Sequence, residues 1–359
     1  MIKKNIMVPH IYYVNDLFMG KGALSTLKYL EEEKFLIFVS KTVKGLENYQ
    51  KIEKYLDGKT YSEEIIEDCY EKKILELRNK YNDYNPDVLV AIGGGKVIDS
   101  AKIIKFLIEN PDHNLETLKA EYFNYNRKIK LVAVPTTPST GSESNSTALT
   151  KSEQNEKTAY INRSFIPDMA ILDYAFLEGI PLEKLIPMTG DIFGHSFESY
   201  FSKLSNQLIK IYAKSSIELL IEGIQGLKKN KDDKKSLESI MIAGHIGGIA
   251  AGNAFVGACH ALAHSAEIKV IKGHSSLIMN LIKPTLTWHH EKTGNPEYIR
   301  FLKAYDVIEY DSYVESGIFD NLDNNWWAEM AIKDPAVKTN PIRMKLESML
   351  ELVNWIKTK

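Results

Sequence analysis

The amino-acid sequence predicts an α/β N-terminal domain built on a parallel sheet, residues 1–178, followed by an all-α C-terminal domain, residues 179–359. Three observations carry this reading. Short apolar runs rich in β-formers alternate with helical periodicity through the first half, as in a parallel sheet with right-handed crossovers. A glycine-rich turn leads from one such run directly into a helical segment. Beyond Pro181 strand signals largely vanish while helical periods continue.

Taken in order, Phe35-Leu-Ile-Phe-Val39 is a continuous apolar run, the mark of a strand buried on both faces. Residues 61–81 carry helical periodicity, residues 87–92 read as a second strand, 96–108 as a helix and 129–134 as a third strand. Three strand-like pieces follow, TALT, KTAYIN and MAILD, separated by polar or proline-containing turns. A boundary falls near 175–182. Residues 205–228, 235–252, 258–270 and 344–357 are helical in period and length. The charged run at 230–235 is a solvated loop.

At 359 residues the chain is long for one hydrophobic core, which favours two. A net charge of −2 gives no global field toward nucleic acid or an anionic membrane. No apolar run approaches the ~20 residues of a membrane span, and the N-terminus lacks a signal-peptide core. Cys69 and Cys259 form no disulfide framework, so a reduced, cytoplasmic setting is expected, with Cys259 a packed thiol.

In Ala91-Ile-Gly-Gly-Gly-Lys-Val-Ile-Asp-Ser-Ala-Lys102 three glycines let backbone N–H groups approach an anion at a helix N-terminus, and pyrophosphate is the natural guest. The string is neither the dinucleotide GxGxxG nor a Walker A loop. A second polar loop, residues 135–145, follows another strand and would line the same crevice at the sheet's carboxyl edge.

The helical half carries a different chemistry. Asp191 and His195 stand four apart, as do His260 and His264, and His274 follows; residues four apart share a helix face. Asp191 and these four of the nine histidines thus span 84 residues. An imidazole-rich set with one carboxylate suits Fe2+ or Zn2+ rather than Mg2+ or Ca2+. His245 sits among small residues and reads as structural, while His10, His113, His289 and His290 have no partner spacing and read as surface residues.

GGGKVIDSAK, PTTPSTGSESN, DIFGHSFESY and CHALAHSAEIKVIKGH, in that order and with a closing Asn340-Pro341, resemble the iron-containing (group III) alcohol dehydrogenases over nearly the whole chain. The resemblance implies a dinucleotide-binding α/β domain, an all-helical domain and a metal in the cleft between them, the dehydroquinate synthase-like architecture. It implies Asp191, His195, His260 and His274 as metal ligands and His264 as a catalytic histidine near the reaction. Gly93, Gly94, Gly95 and Asp99 match the family's pyrophosphate loop, and Thr136, Thr137 and Ser142 its second cofactor loop. Ser40 stands where NAD-preferring members look to carry Asp, which favours NADP over NAD. The implied reaction is hydride transfer between NAD(P)H and a small aldehyde, giving its primary alcohol, in a homo-oligomer (a dimer) with no nucleic-acid or membrane partner.

Lys96 stands where many relatives have Ser, Ser275 follows His274 in place of the usual Gly, and Glu267 replaces a familiar glycine. Those changes leave open a polyol or phosphorylated-substrate dehydrogenase of glycerol or glycerol-1-phosphate type, and a 3-dehydroquinate synthase-like lyase. Lys157 and Arg163 are the basic residues expected to reach a substrate anion.

Overall fold

The computed structural model describes residues 11–119 and 128–358; His10 lies outside them. Among the described residues eight strands follow one another as β1 (Asp16–Met19), β2 (Lys34–Val39), β3 (Thr60–Ile65), β4 (Val88–Gly93), β5 (Lys130–Pro135), β6 (Thr147–Lys151), β7 (Lys157–Ile161) and β8 (Met169–Leu172). Six form a parallel sheet in the order β1-β8-β5-β4-β2-β3, and β6 pairs with β7 as a separate antiparallel hairpin.

Both faces of the sheet are covered, which is why β2, β4 and β5 read as unbroken apolar runs. Phe35, Ile37, Val39, Val90 and Val134 pack into the core on one face, and Leu36, Phe38, Leu89 and Leu131 into that on the other. Short helices α1 (Lys41–Lys44), α2 (Glu47–Gln50) and α3 (Ile52–Tyr55) follow β2, α4 (Glu71–Tyr81) precedes β4, and α5 (Gly95–Glu109) and α6 (Leu115–Leu118) follow it. Residues 61–81 are therefore not one helix. Ile74, Leu77 and Tyr81 carry the helical period, while Thr60–Ile65 is an edge strand whose side chains are exposed or half-buried. The other edge, β1, is wholly exposed and only four residues long, and its apolar Leu17-Phe18-Met19 is too short to announce a strand.

After β8 the described residues contain no further strand. The helices are α7 (Leu182–Met188), α8 (Gly190–Phe201), α9 (Gln207–Lys229), α10 (Lys234–Ala254), α11 (Ala258–Ala266), α12 (His274–Thr293), α13 (Glu297–Ile308), α14 (Asn324–Ala331) and α15 (Leu346–Thr358). They surround a third core that includes Phe193, Leu262, Ile278, Trp288 and Trp327. α11 stops four residues short of the expected 270, and α12 continues through an internal Pro284 that hides it in the sequence. No single helix among the described residues is long and apolar enough to cross a membrane.

Two features of this fold position the site. β2 and β4 are neighbours although β3 intervenes in sequence, so the strand order reverses there and a crevice opens at their carboxyl ends. In addition, the loop after β5 packs tightly on α10, whose Gly244, Gly248 and Gly252 recur every four residues. A Cβ on Gly248 would lie 2.6 Å from Gly141 Cα, and Gly141 itself holds a left-handed φ of 57°. Buried His245 and Glu143 bond across the same contact at 3.1 Å, the structural role expected for that histidine.

Gly248→Val should therefore lower unfolding free energy by about 2 kcal/mol through overpacking. Urea denaturation checks this, and a midpoint equal to wild type would contradict so close an approach.

Candidate active site

Gly94 is the N-cap of α5, and no side chain caps that helix, which leaves N–H groups of its first turn for an anion. Thr136 N–H donates to Gly93 O at 3.1 Å, which joins the glycine turn to the second loop. A Cβ on Gly94 would come 3.1 Å from Thr137 Oγ1, and one on Gly95 2.7 Å from Thr140 Oγ1. None of the three glycines has positive φ, so close packing is what demands them, Gly94 and Gly95 against the second loop and Gly93 against Val97. Ser40 lies across the crevice at the end of β2. Its N–H donates to Ile92 O at 3.3 Å, and its Oγ caps α1 by accepting from Val43 N–H at 3.3 Å.

Asp99 and Ser142 lie beneath the two loops. Both are buried, Ser142 Oγ donates to Asp99 Oδ1 at 2.5 Å, and Leu149 N–H donates to Asp99 Oδ2 at 3.1 Å. Fully buried Lys102, unassigned in the sequence reading, donates to Ser142 Oγ, Asn145 Oδ1 and Thr147 O at 2.8, 3.3 and 2.6 Å. Burial pulls its ammonium down to about 8 and raises the Asp99 carboxyl. The cluster braces the second loop from below.

In the helical half, α8 buries Asp191 completely and presents His195 one turn later. His260 arrives from α11 and His274 from the first position of α12. Their Nε2 atoms converge on one oxygen, Asp191 Oδ1, at 3.5 Å for His195, 3.2 Å for His260 and 3.7 Å for His274. Asp191, His195 and His260 offer ligand atoms that all lie within 4.8 Å of one another. Four donors around a tetrahedral ion at about 2.1 Å stand roughly 3.4 Å apart, so the spacing of Asp191, His195 and His260 fits Zn2+ or Fe2+, with His274 near Asp191 but outside that compact group. Close helix packing makes the convergence possible. A Cβ on Gly190 would meet Met279 Cβ at 2.8 Å, and one on Gly194 would meet His260 Cε1 at 3.1 Å.

Carboxylates hold the far side of three of these rings. Glu198 accepts from His260 Nδ1 and, at 2.7 Å, from Cys259 N–H; Glu267 accepts from His274 Nδ1; Asp334 accepts from His264 Nδ1 at 2.8 Å. Ser139 Oγ donates to Asp191 Oδ2 at 3.1 Å and lies 2.7 Å from Ser275 Oγ, so the second cofactor loop also touches the ion site. Burial opposes ionisation of Asp191, but the imidazoles of His195, His274 and His260 outweigh it and hold the carboxyl well below its usual range. Burial lowers His195, and burial with neighbouring Lys157 brings His274 down to about 4. For His260 burial is overcome by Glu198 and Asp191, which push it up to about 9. Burial opposes ionisation of Asp334 most strongly, but His264, the Ala336 N–H and His260 together outweigh it and draw the carboxyl down to about 2.

His264 stands apart from the converging set. Its ring stacks on His274 at 5.1 Å, and its buried Nε2 has no hydrogen-bond partner among the described residues. Cys259 is buried, with its thiol toward Ile278 O. His289 is not a surface residue, since α12 carries it into the core, where it bonds Thr285 O at 2.8 Å and Asn340 Oδ1 at 3.2 Å. Asn340 also accepts from Ala258 N–H at 3.2 Å, fixing the start of the ligand helix. Both expected anion-binding cations have partners within the protein: Lys157 pairs with Glu267 at 2.8 Å and lies 3.4 Å from His274 Nδ1, and the Arg163 guanidinium lies 3.9 Å over the Tyr12 ring. Glu198 was findable, because Asp191, His195 and Glu198 fall at i, i+4 and i+7 of one helix face. His260, His264 and Glu267 repeat that pattern.

Comparison with known proteins assigns the class. The family model for iron-containing alcohol dehydrogenase matches residues 15–174, and that for the family's C-terminal region matches residues 187–281. The chain is 28% identical over 286 residues to the probable alcohol dehydrogenase EutG of Escherichia coli K12, covering 74% of this chain and 72% of that one. It is likewise 28% identical over 303 residues to an NADPH-dependent butanol dehydrogenase of Clostridium saccharobutylicum, covering 81% and 76%. Against the longer bifunctional aldehyde-alcohol dehydrogenase of E. coli K12 it is 31% identical but spans only 26% of that protein. In fold it superposes on an iron-containing alcohol dehydrogenase of Thermococcus thioreducens with a TM-score of 0.84 at 23% identity, covering 97% of this chain and 100% of the other. The architecture and the matched segments define a metal-dependent alcohol dehydrogenase. This chain belongs to the iron-containing alcohol dehydrogenase family, whose members pair a divalent ion with NAD(P).

If the converging atoms are the ligands, Asp191→Ala should lose bound metal and activity while retaining dinucleotide binding, and His264→Ala should retain metal but turn over slowly. Metal content and cofactor titration on the same samples check both; a full metal equivalent in Asp191→Ala would contradict the geometry.

Proposed function

We propose that the protein reduces a small uncharged aldehyde to its primary alcohol, with NADP(H) preferred over NAD(H) and Fe2+ or Zn2+ held by Asp191, His195, His260 and His274. The observation that carries this reading is the convergence of three imidazole Nε2 atoms on the buried Asp191 Oδ1. A divalent ion there supplies Lewis acidity toward a carbonyl oxygen, and a nicotinamide supplies the hydride.

The protein's own groups do the rest. Gly94 and the uncapped start of α5 would receive the pyrophosphate, with Thr136 and Thr137 closing the crevice from the neighbouring loop. Asp334 fixes the His264 tautomer by accepting from Nδ1, so a proton enters or leaves this ring at Nε2. His264 is therefore the residue that returns a proton to the reduced oxygen. Because Lys157 and Arg163 are already engaged, the site favours an uncharged substrate over a phosphorylated one. That agrees with the butanol substrate in one relative's name.

Support for NADP(H) comes from Ser40, which ends the strand beside the glycine turn without the carboxylate that would repel a 2′-phosphate. Lys41 follows it, paired only loosely with Glu67 at 3.9 Å, and is free to meet such a phosphate. Asp caps a helix as well as Ser does, so Ser40→Asp should leave α1 intact.

In a reductase assay with short aldehydes and sulfoacetaldehyde, the wild type should favour the uncharged aldehydes and NADPH, and Ser40→Asp should move kcat/KM toward NADH by about tenfold, 1.4 kcal/mol. A tenfold wild-type preference for NADH would overturn the cofactor assignment, and a preference for the sulfonate would overturn the substrate assignment.

A further inference from the structure

We infer that Glu267 is a positioning residue for the ion site: it sets the tautomer and direction of His274, and Lys157 holds it in place for that purpose. The inference rests on the metal-site reading above and extends it to a residue that departs from the family's familiar glycine.

Glu267 closes the last turn of α11, where its N–H donates to Ala263 O at 3.0 Å, so its backbone is fixed by the same helix that carries His260. One oxygen, Oε1, receives both His274 Nδ1 and, at 2.8 Å, Lys157 Nζ. The Glu267 and Lys157 side chains are only 9% and 11% exposed, so the three groups meet with little water among them. A carboxylate at Nδ1 keeps the hydrogen there and leaves the Nε2 lone pair facing Asp191 Oδ1, the form of imidazole a metal ligand requires.

The arrangement repeats the one at His260, where Glu198 sits on Nδ1 and Nε2 faces the same Asp191 oxygen. The two differ in charge balance. Lys157 comes from β7 and offsets the charge of Glu267, so this carboxylate adds no net negative charge beside Asp191. The β6–β7 hairpin is thereby tied to the loop that delivers His274. Glu267 is held well below the usual carboxylate range, because His274 and Lys157 outweigh the opposing effect of burial. A simple Lys157–Glu267 cross-link would explain the ion pair but not the imidazole on the same oxygen.

The test is Zn2+ affinity of the full apo chain by chelator competition, with the visible spectrum of the Co2+ form, for wild type, Glu267→Ala and Glu267→Gln. Loss of the carboxylate in Glu267→Ala should weaken binding about 10–100-fold and alter the Co2+ bands. Glu267→Gln, whose amide oxygen still accepts from Nδ1, should recover most of that loss and remain about threefold to tenfold weaker than wild type. Circular dichroism establishes that each variant is folded, and the glutamine form carries the test should the alanine form unfold. A folded variant with affinity within threefold of wild type and an unchanged Co2+ spectrum would overturn the inference. Asp191→Ala run alongside separates the two levels: if it keeps wild-type affinity the metal site itself is misassigned, whereas its loss with an unaffected Glu267→Ala refutes the role of Glu267 alone.

Discussion

A fully buried carboxylate governs the helical half of this protein. Asp191 is shielded from water, and an isolated charge there would cost several kcal/mol. Three imidazole edges and the Ser139 hydroxyl surround it instead. Bringing those groups to one point requires α8, α11 and α12 to approach more closely than side chains normally allow, which Gly190 and Gly194 permit. The outer carboxylates Glu198 and Glu267 accept from Nδ1 of His260 and His274, so that Nε2 of those two rings faces inward.

The loop after β5 connects this charge to the other half of the molecule. Thr136 and Thr137 lie against the glycine turn, Ser139 reaches Asp191, and Gly141 rests on α10 at a distance only glycine tolerates on either side. Below it, Asp99, Lys102 and Ser142 form a buried polar cluster that would be costly to break. A dinucleotide at the glycine turn and an ion at Asp191 would therefore share one rigid wall. Fixed geometry between hydride donor and acceptor is what such a reaction needs.

Much of this was legible in the sequence because it rests on local rules. Parallel strands announce themselves by unbroken apolar runs, and paired ligands by spacing of four. The exposed edge strand β3 lacked an apolar face, β1 was too short to signal itself, and Pro284 concealed α12. Partnerships across long separations left no local trace: Asp334 meets His264 and Asn340 meets His289 only once the chain has folded. The mutual hydrogen bond of buried Asp99 and Ser142 likewise left no local trace. Lys157 and Arg163 looked available until their partners Glu267 and Tyr12 were in place.

The most direct measurement is anomalous diffraction from crystals of the protein grown with Zn2+ or Fe2+, collected at the edge of the added metal. A single strong peak is expected about 2.1 Å from Asp191 Oδ1 and from Nε2 of His195, His260 and His274, with His264 outside that sphere. No peak among these four side chains, or a peak bound by His264 in place of His274, would contradict it.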